Sequence, residues 1–269
     1  MRLIVAATAP FGAAVLEGLA ADHEIALVLT RPNSRRGRGR RLQPTPAKER
    51  AERLGIPVMQ PDRLTENPEG ADVVIVAAYG VIIPSKLLER QLWLNVHPSL
   101  LPRWRGAAPV ERAIMTGDTQ TGVTVHRTTA ELDAGQIAAQ ASFSIGPDDN
   151  AASVYERAVP LAVELVSGVL PEPRFVPQPT AGVTYAEKIT AQDRLVDFER
   201  PAESIVNQVR ALAPHIGARA ELDGRPILIW EARVARPGAV LGAGGVELLV
   251  VQPEGGRRMS ASEYVRGRR

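Results

Sequence analysis

The chain has 269 residues, a formal net charge of +2 and a hydrophobic fraction of 45%, which is typical of a globular protein and excludes a disordered one. It contains no cysteine, which excludes disulfide bonds, thiolate metal sites and cysteine nucleophiles and suits a cytoplasmic protein. No apolar segment approaches the roughly 20 residues that a membrane-spanning helix requires, so no contact with a membrane is expected.

Short apolar runs alternate with helical patterns through the first two thirds of the chain. Continuous apolar runs are typical of strands covered on both faces, as in a parallel sheet. Strands that alternate with helices indicate an open, doubly wound, Rossmann-like α/β sheet. The predicted elements are strand Arg2–Thr8, helix Phe11–Ala21, strand Glu24–Thr30, helix Thr45–Leu54, strand Ala71–Tyr79, helix Pro84–Gln91, strand Trp93–His97, helix Pro109–Thr116, strands Gly122–Thr128 and Gln136–Ile145, and helix Ala151–Val169.

The last third of the chain has a different composition and periodicity. The segment that begins "LPEPRFVPQPT" is rich in proline and has no periodicity, which predicts an interdomain linker. One helix, Ala202–Leu212, and several short strands split by glycine follow, which is typical of a small antiparallel β-barrel of the OB type. We therefore predict an N-terminal domain over 1–172, a linker over 173–188 and a C-terminal barrel domain over 189–269.

Open α/β sheets bind ligands at the carboxyl ends of their strands, so the loops after the predicted strands are the candidate sites. Neither G-x-G-x-x-G nor G-x-x-x-x-G-K-[ST] occurs, which disfavours a nucleotide-dependent dehydrogenase or kinase. Ser99 lacks the G-x-S-x-G context of a hydrolase nucleophile. No pair of histidines has metal-ligand spacing, so no metal site is predicted.

The fourth apolar strand ends in "LNVH", which places His97 at the carboxyl end of the predicted sheet. Asn95 lies two residues earlier and projects from the same side of the strand. An amide donor beside an imidazole suits acyl-group transfer, because the amide can donate to a developing oxyanion and the imidazole can carry a proton near neutral pH. A histidine that only caps the strand end is the alternative, and it remains open at this point.

A carboxylate is the natural third member, because it can orient the imidazole or take up a proton. Asp133 in "AELDAGQI" follows the strand Gly122–Thr128 and has small neighbours, although an aspartate there can also simply form a turn. His126 falls on the polar phase of "GVTVHRT", which predicts a solvated strand face.

Positive charge is concentrated in two segments. Arg31 to Arg50 contains eight basic residues and one acidic residue, and "GGRRMSASEYVRGRR" closes the chain. Both segments are able to bind phosphate backbones, and a solvated loop and tail are the alternative.

Taken together, these motifs resemble a known family. "NVHPSLLPRWRGAAP", with an aspartate 36 residues after its histidine in "LDAGQI", is similar to the formyltransferases that use 10-formyltetrahydrofolate. The basic loop "LTRPNSRRGRGRRLQPTPAK", the segment "VIVAAYGVIIP" and the C-terminal "TYAEKIT" and "RMSASEYVRGRR" also match that family. The form "SLLPRWRGAAP" resembles the branch whose acceptor is a charged initiator tRNA, so the resemblance implies transfer of a formyl group to methionine on that tRNA.

The resemblance also implies site residues. Asn95, His97 and Asp133 would be catalytic: Asn95 and a protonated His97 would stabilise the oxyanion, and Asp133 would orient His97 or relay the amine proton. The enzyme would work without a metal, as a cytoplasmic monomer. Residues expected to bind the folate co-substrate are Tyr79, Gly80, Ile82, Pro84, Ser99, Leu100, Leu101 and Pro102. Residues expected to contact tRNA are Arg35, Arg36, Arg38, Arg40 and Arg41.

Some positions depart from the family pattern. Ala7 stands where the family usually has glycine, Pro98 follows the histidine where glycine or alanine is usual, and "LAPHIGA" replaces the family's F-N-P segment. Two other functions stay open at the level of sequence. One is a formyltransferase of the same family that acts on a sugar nucleotide or glycinamide ribonucleotide, and the other is a non-catalytic RNA-binding module.

Overall fold

The computed structural model describes residues 1–36 and 41–267. Contacts within the chain divide it into two compact units, and both units draw on more than one segment. The first unit consists of Met1–Arg105, Gly122–Ser142 and Glu156–Thr184, and the second of Gly106–Thr121, Phe143–Tyr155 and Tyr185–Arg269.

The described residues form short strands and helices in the predicted order, with several additional short strands. The strands are β1 (Arg2–Ala7), β2 (Glu24–Leu29), β3 (Ser34–Arg36), β4 (Arg41–Gln43), β5 (Val58–Met59), β6 (Val73–Ala77), β7 (Leu92–His97), β8 (Arg105–Gly106), β9 (Gln120–Arg127), β10 (Ile137–Ser144), β11 (Tyr185–Ala186), β12 (Ala218–Leu222), β13 (Arg225–Val234), β14 (Gly242–Ala243), β15 (Val246–Pro253) and β16 (Met259–Ser260).

Seven α-helices are found among the described residues, together with a 3₁₀ turn at Gln192–Arg194. The helices are α1 (Pro10–Asp22), α2 (Pro46–Arg53), α3 (Ser85–Leu88), α4 (Pro109–Met115), α5 (Ala151–Val169), α6 (Ala202–Leu212) and α7 (Ala261–Arg266). The prediction of a helix over Pro84–Gln91 was too long, because the chain turns after α3 to begin β7. In residues 1–36 and 41–267, no helix combines the length and apolarity needed to cross a membrane.

The main sheet has the strand order β10-β9-β7-β6-β1-β2-β5. The five strands from β7 to β5 in this order pair in parallel, whereas β9 pairs with β7 in antiparallel fashion. The residues from Leu3 to Ala7 of β1 are fully buried, as expected for a strand covered on both faces. The predicted mostly parallel, doubly wound sheet is confirmed.

Parallel pairing brings the loops after β1, β6 and β7 to one edge of this sheet. The first two loops are joined there by hydrogen bonds. The backbone amides of Thr8 and Ala9 donate to the carbonyl of Ala78 at 3.2 and 3.3 Å, and the Thr8 hydroxyl donates to the carbonyl of Tyr79 at 2.7 Å. Ala78 has a left-handed φ of 48°, which ends β6 before the predicted Tyr79.

In the second unit, an antiparallel sheet is ordered β12-β13-β15-β14, and β16 also pairs with β15. Helix α6 buries Ile205, Val209 and Leu212, which recur at helical spacing, in one core with Ile229 and Leu248 of the sheet. The predicted barrel is confirmed as a curled antiparallel sheet that forms a half-barrel.

Ala7, which replaces the usual glycine of the family, is accommodated by a glycine on the adjoining helix. A Cβ built on Gly12 of α1 would overlap the carbonyl oxygen of Ala77 and would lie 2.8 Å from the Cβ of Ala7. The methyl group of Ala7 therefore fits because Gly12 has no side chain, and α1 approaches the ends of β1 and β6 closely.

We predict that Gly12→Ala lowers the free energy of unfolding by about 1–3 kcal/mol, because the new methyl group has no space between two buried strands. Gly168→Ala is the matched control, since Gly168 is also helical and a Cβ there would have no neighbour within 4 Å. The control should raise the free energy of unfolding by up to about 1 kcal/mol. Urea denaturation measures both values, and equal effects of the two substitutions would contradict the close approach of α1.

Candidate active site

Asn95 and His97 are positioned by β7, which lies between the parallel strand β6 and the antiparallel strand β9. Asn95 is opposite Val76 of β6 and His126 of β9, and His97 is opposite Thr124 of β9. β7 is an interior strand of the sheet, and the side chain of His97 is only 5% exposed. The two polar residues therefore reach the carboxyl edge of the sheet from within its core.

Asp133 lies in the loop between β9 and β10 and has a left-handed φ of 46°. Its Oδ1 atom accepts a hydrogen bond of 2.9 Å from Nδ2 of Asn95, and its Oδ2 atom lies 3.7 Å from Nδ1 of His97. Gly135 supports this loop, because a Cβ at Gly135 would overlap the carbonyl oxygen of Arg127. The structure thus brings together the three residues that the sequence singled out.

His126 is a fourth polar residue of this cluster, and the prediction that it faces solvent was wrong. Its exposed fraction is 1%, because β9 is buried on both faces. Nε2 of His126 lies 3.1 Å from Nδ2 of Asn95, and Nδ1 lies 3.0 Å from the carbonyl oxygen of Arg127. An amide nitrogen only donates and a carbonyl only accepts, so both contacts are satisfied when His126 accepts through Nε2 and donates through Nδ1.

His97, the last residue of β7, has one ring nitrogen that is hydrogen-bonded to the backbone. Nε2 donates to the carbonyl oxygen of Trp104 at 2.8 Å, which leaves Nδ1 directed at Asp133. Burial lowers the pKa of His97 below its usual value of 6.5, while the charge of Asp133 and the bond to Trp104 oppose this and His126 adds to it. The imidazole is therefore neutral near pH 7, and Nδ1 presents a lone pair.

Two segments proposed for folate binding flank the cluster, after β6 and after β7. The segment after β7 is held firmly: the Ser99 hydroxyl donates to the carbonyl of Arg103 at 2.7 Å, and the Leu101 amide donates to the Thr124 hydroxyl at 3.2 Å. In the segment after β6, Tyr79 is buried and burial raises its pKa, whereas Ile82 is 91% exposed. This edge of the sheet therefore carries a backbone segment held by hydrogen bonds, after β7, and an exposed apolar side chain, that of Ile82.

The basic loop forms a hairpin that the sequence did not predict. Arg35 and Arg36 lie on β3 and Arg41 on β4, and β3 follows the carboxyl end of β2. Arg38 and Arg40 lie outside the described residues. The hairpin's described strand residues are polar except for the exposed Leu42, so the apolar pattern used to find strands is absent from it.

No group of three or more histidine, aspartate or glutamate side chains in the described part of the chain is arranged to hold a metal ion. The cluster of Asn95, His97, Asp133 and His126 offers hydrogen bonds, the carboxylate of Asp133 and the Nδ1 atom of His97. These are the groups that a proton-coupled acyl transfer needs.

Two family models match almost the whole chain. The model described as formyl transferase matches residues 1–170, and the model described as formyl transferase, C-terminal domain, matches residues 188–269. Residues 171–187 lie between the two matches.

Relatives with similar sequences are named methionyl-tRNA formyltransferase. The enzyme of Chromobacterium violaceum is 40% identical over 297 residues, covering 100% of this chain and 97% of the relative. That of Paracoccus denitrificans is 40% identical over 292 residues, covering 99% of this chain and 97% of the relative.

Solved structures with more distant sequences share the fold. An N-formyltransferase from Helicobacter canadensis, in complex with folinic acid and dTDP-3-aminofucose, has a TM-score of 0.68 at 16% identity and covers 96% of this chain and 100% of its own. HypX from Aquifex aeolicus, in complex with tetrahydrofolic acid, has a TM-score of 0.65 at 20% identity and covers 98% of this chain and 46% of its own.

The fold, the two family matches and the relatives agree with the resemblance that the sequence motifs indicated, which is thereby confirmed. The chain belongs to the formyl transferase family, and within it to the methionyl-tRNA formyltransferases.

Proposed function

We propose that the protein transfers the formyl group of 10-formyltetrahydrofolate to the α-amino group of methionine on initiator tRNA. The observation that carries this proposal is the cluster of Asn95, His97 and Asp133 at the carboxyl edge of the sheet. It occurs in a chain that is 40% identical over its full length to enzymes named for this reaction.

In the proposed reaction, the amine nitrogen attacks the formyl carbon and loses a proton as the new C–N bond forms. Nδ1 of His97 takes that proton, since Nε2 is already bonded to Trp104 and the lowered pKa keeps the resting imidazole neutral. The bond from the formyl carbon to the folate nitrogen then breaks, and His97 returns the proton to that nitrogen. A resting neutral His97 differs from the protonated His97 that the family resemblance suggested.

Asn95 supplies hydrogen-bond donors to the oxygen of the formyl group as negative charge develops on it. Both amide hydrogens of Asn95 are engaged, one by Asp133 and one by His126, so the formyl oxygen replaces one of these acceptors when substrate binds. Asp133 stabilises His97 while the imidazole carries the proton, because the carboxylate lies 3.7 Å from Nδ1.

The segments Tyr79–Pro84 and Ser99–Pro102 suit a folate co-substrate. A flat heteroaromatic ring needs apolar contact and a few fixed polar groups, and the fixed loop after β7 with the exposed Ile82 provides both. Bound there, 10-formyltetrahydrofolate supplies the formyl group beside the cluster.

The arginine hairpin is the proposed contact for the tRNA. It follows β2, whose carboxyl end lies at the same edge of the sheet as β7. Guanidinium groups bind phosphates and position a nucleic acid without reading its sequence. A small acceptor such as a sugar nucleotide needs no basic hairpin, so the identity to methionyl-tRNA formyltransferases and the hairpin together favour tRNA.

We further propose that the enzyme works as a monomer in the cytoplasm. Both proposed substrates meet there, and the absence of cysteine suits a reducing compartment. The cluster is complete within one chain, since Asn95, His97, Asp133 and His126 all come from the same unit.

We expect the wild-type protein to produce N-formylmethionine when it is incubated with 10-formyltetrahydrofolate and methionyl-tRNA, as detected by mass spectrometry. His97→Ala should reduce turnover by at least about 100-fold, because the proton carrier is lost, while tRNA binding stays close to wild type. His23→Ala is the matched control, since His23 precedes β2 at the opposite edge of the sheet. Substantial turnover by His97→Ala would overturn the proposed mechanism.

We predict that Asp133→Asn moves the titration of His97 to lower pH. Asp133 raises the pKa of His97 against the lowering by burial, so removal of its charge leaves burial less opposed. NMR titration of labelled histidine measures this directly, and the chain contains only four histidines to assign. The exposed Asp62→Asn is the control and should leave the His97 titration unchanged; a shift of His97 to higher pH in Asp133→Asn would contradict the prediction.

For the hairpin, we expect the double substitution Arg35→Ala/Arg41→Ala to raise the KM for methionyl-tRNA by about 10-fold and to flatten its salt dependence. The double substitution Arg2→Ala/Arg90→Ala removes the same charge at the opposite edge of the sheet and serves as the control. Equal KM values for the two double variants would place the tRNA contact elsewhere.

A further inference from the structure

Residues of the proline-rich segment after α5 contact the loop that carries Asp133. Nε2 of Gln178 donates to the carbonyl oxygen of Asp133 at 2.7 Å and to that of Gly135 at 2.8 Å. One side chain therefore holds both ends of the three-residue turn centred on Ala134. All of these residues belong to the first compact unit.

A buried arginine fixes the orientation of this amide. Arg105 is 8% exposed, and its Nε and Nη2 atoms donate to Oε1 of Gln178 at 3.2 and 2.8 Å. Because a guanidinium only donates, Oε1 must face Arg105 and the two amide hydrogens must face the loop. The other end of the guanidinium lies 3.4 Å from Oε1 of Glu131, in the same loop as Asp133.

A second contact from the same segment supports the partner of His97. The hydroxyl of Thr184 accepts a hydrogen bond of 2.9 Å from the amide of Trp104, and the carbonyl of Thr184 accepts one of 2.9 Å from the amide of Arg105. Trp104 has a left-handed φ of 63°, and its carbonyl receives Nε2 of His97. Thr184 therefore holds the peptide that fixes which way His97 points.

We infer that Gln178 and Thr184 are positioning residues for the reaction proposed above: Gln178 holds the Asp133 loop, and Thr184 holds the Trp104 peptide. The inference rests on the proposed function for its kinetic consequence only. Both supported residues, Asp133 and Trp104, have left-handed backbone conformations that non-glycine residues rarely adopt, so each needs an outside contact to stay in place. A displacement of about 1 Å at a reacting group can reduce turnover by about 100-fold.

Gln178 controls the distance between the carboxylate of Asp133 and Nδ1 of His97. Asp133 and His126 are the titratable side chains that face His97, at 3.7 Å from Nδ1 to Oδ2 and at 6.3 Å between ring centroids respectively. Loss of the two Gln178 bonds lets the loop relax and moves the carboxylate away from Nδ1. The His97 titration then shifts to lower pH, which a loss of overall stability does not produce.

The test compares Gln178→Leu with Gln91→Leu. Nε2 of Gln91 donates to the carbonyls of Pro68 and Ala71 at 3.3 and 2.7 Å, so its substitution removes the same kind of support from a loop at the opposite edge of the sheet. We expect Gln178→Leu to lower kcat at least about 10-fold, with the KM for 10-formyltetrahydrofolate within about 3-fold of wild type, and to shift the His97 titration to lower pH. Gln91→Leu should lower Tm and leave kcat and the His97 titration unchanged.

Gln178→Glu tests the hydrogen bonds that Gln178 donates separately from those that it accepts from Arg105. The carboxylate keeps an acceptor for Arg105 but has no donor for the carbonyls of Asp133 and Gly135. We expect a loss of kcat comparable to that of Gln178→Leu, and a wild-type kcat in Gln178→Glu would overturn the role of the donors.

Thr184 gives an independent test if Gln178→Leu does not fold. Thr184→Val removes the acceptor of the Trp104 amide at nearly constant volume and should lower kcat at least about 5-fold. Thr184→Ser keeps the hydroxyl and should restore kcat to within about 2-fold of wild type. Equal kcat values for the valine and serine variants would overturn the role of Thr184.

The two proposals fail in different ways. If the wild-type protein does not formylate methionyl-tRNA, the proposed function is wrong, but the His97 titration of the free protein still tests the positioning by Gln178 without substrate. If the wild-type protein is active, and Gln178→Leu keeps both its kcat and its His97 titration, the positioning inference alone is wrong.

Discussion

The structure of the candidate site depends on the burial of one carboxylate, that of Asp133. Its side chain is 11% exposed, and a charge removed from water to this extent is tolerated only where donors or opposite charges surround it. Asn95 donates directly to Oδ1, and the rings of His97 and His126 lie within 4 Å of the carboxylate oxygens, where His97 becomes an oppositely charged donor once it takes a proton. These three residues come from two neighbouring strands, so the burial of Asp133 requires the antiparallel pairing of β7 with β9.

Parallel pairing is the reason that one edge of the sheet carries the segments proposed to bind folate and tRNA, together with the end of β7. The loops after β1, β2, β6 and β7 leave the sheet on the same side, although they are separated by up to about 90 residues of sequence. The bonds from Thr8 and Ala9 to Ala78 and Tyr79 then join two of these loops. A sheet of parallel strands joined by crossovers thus assembles a site from segments that have no local relation to one another.

The part of the site that could be predicted from sequence is the part with a local pattern. The apolar run that ends in "LNVH" predicts β7, and the two-residue period of a strand predicts that Asn95 and His97 share a side. Asp133 was a candidate because it follows the strand Gly122–Thr128 and has small neighbours, and the family motif then implied a catalytic role for it. These patterns place the side chains on strands. The alternation of strands and helices along the chain then predicts that the strands are parallel.

The contacts that were missed depend on pairing between distant segments. His126 lies on a strand whose sequence alternates, yet both faces of β9 are buried, and the packing that covers them comes from segments distant in sequence. Gln178 lies in a proline-rich stretch without periodicity, 45 residues from Asp133, and the sequence assigned that stretch to a linker. The hairpin of β3 and β4 was missed for the opposite reason, because its strands are short and polar.

Two opposed effects on the pKa of His97 make the position of Asp133 decisive for the proposed chemistry. Burial alone would leave an imidazole that is neutral but a weak base, because its charged form is poorly solvated. The nearby carboxylate restores basicity at the moment the imidazole takes a proton, and this attraction weakens with distance whereas the effect of burial does not. Side chains that fix the backbone of Asp133 therefore act on the proposed proton transfer through electrostatics, even though they touch neither His97 nor a substrate.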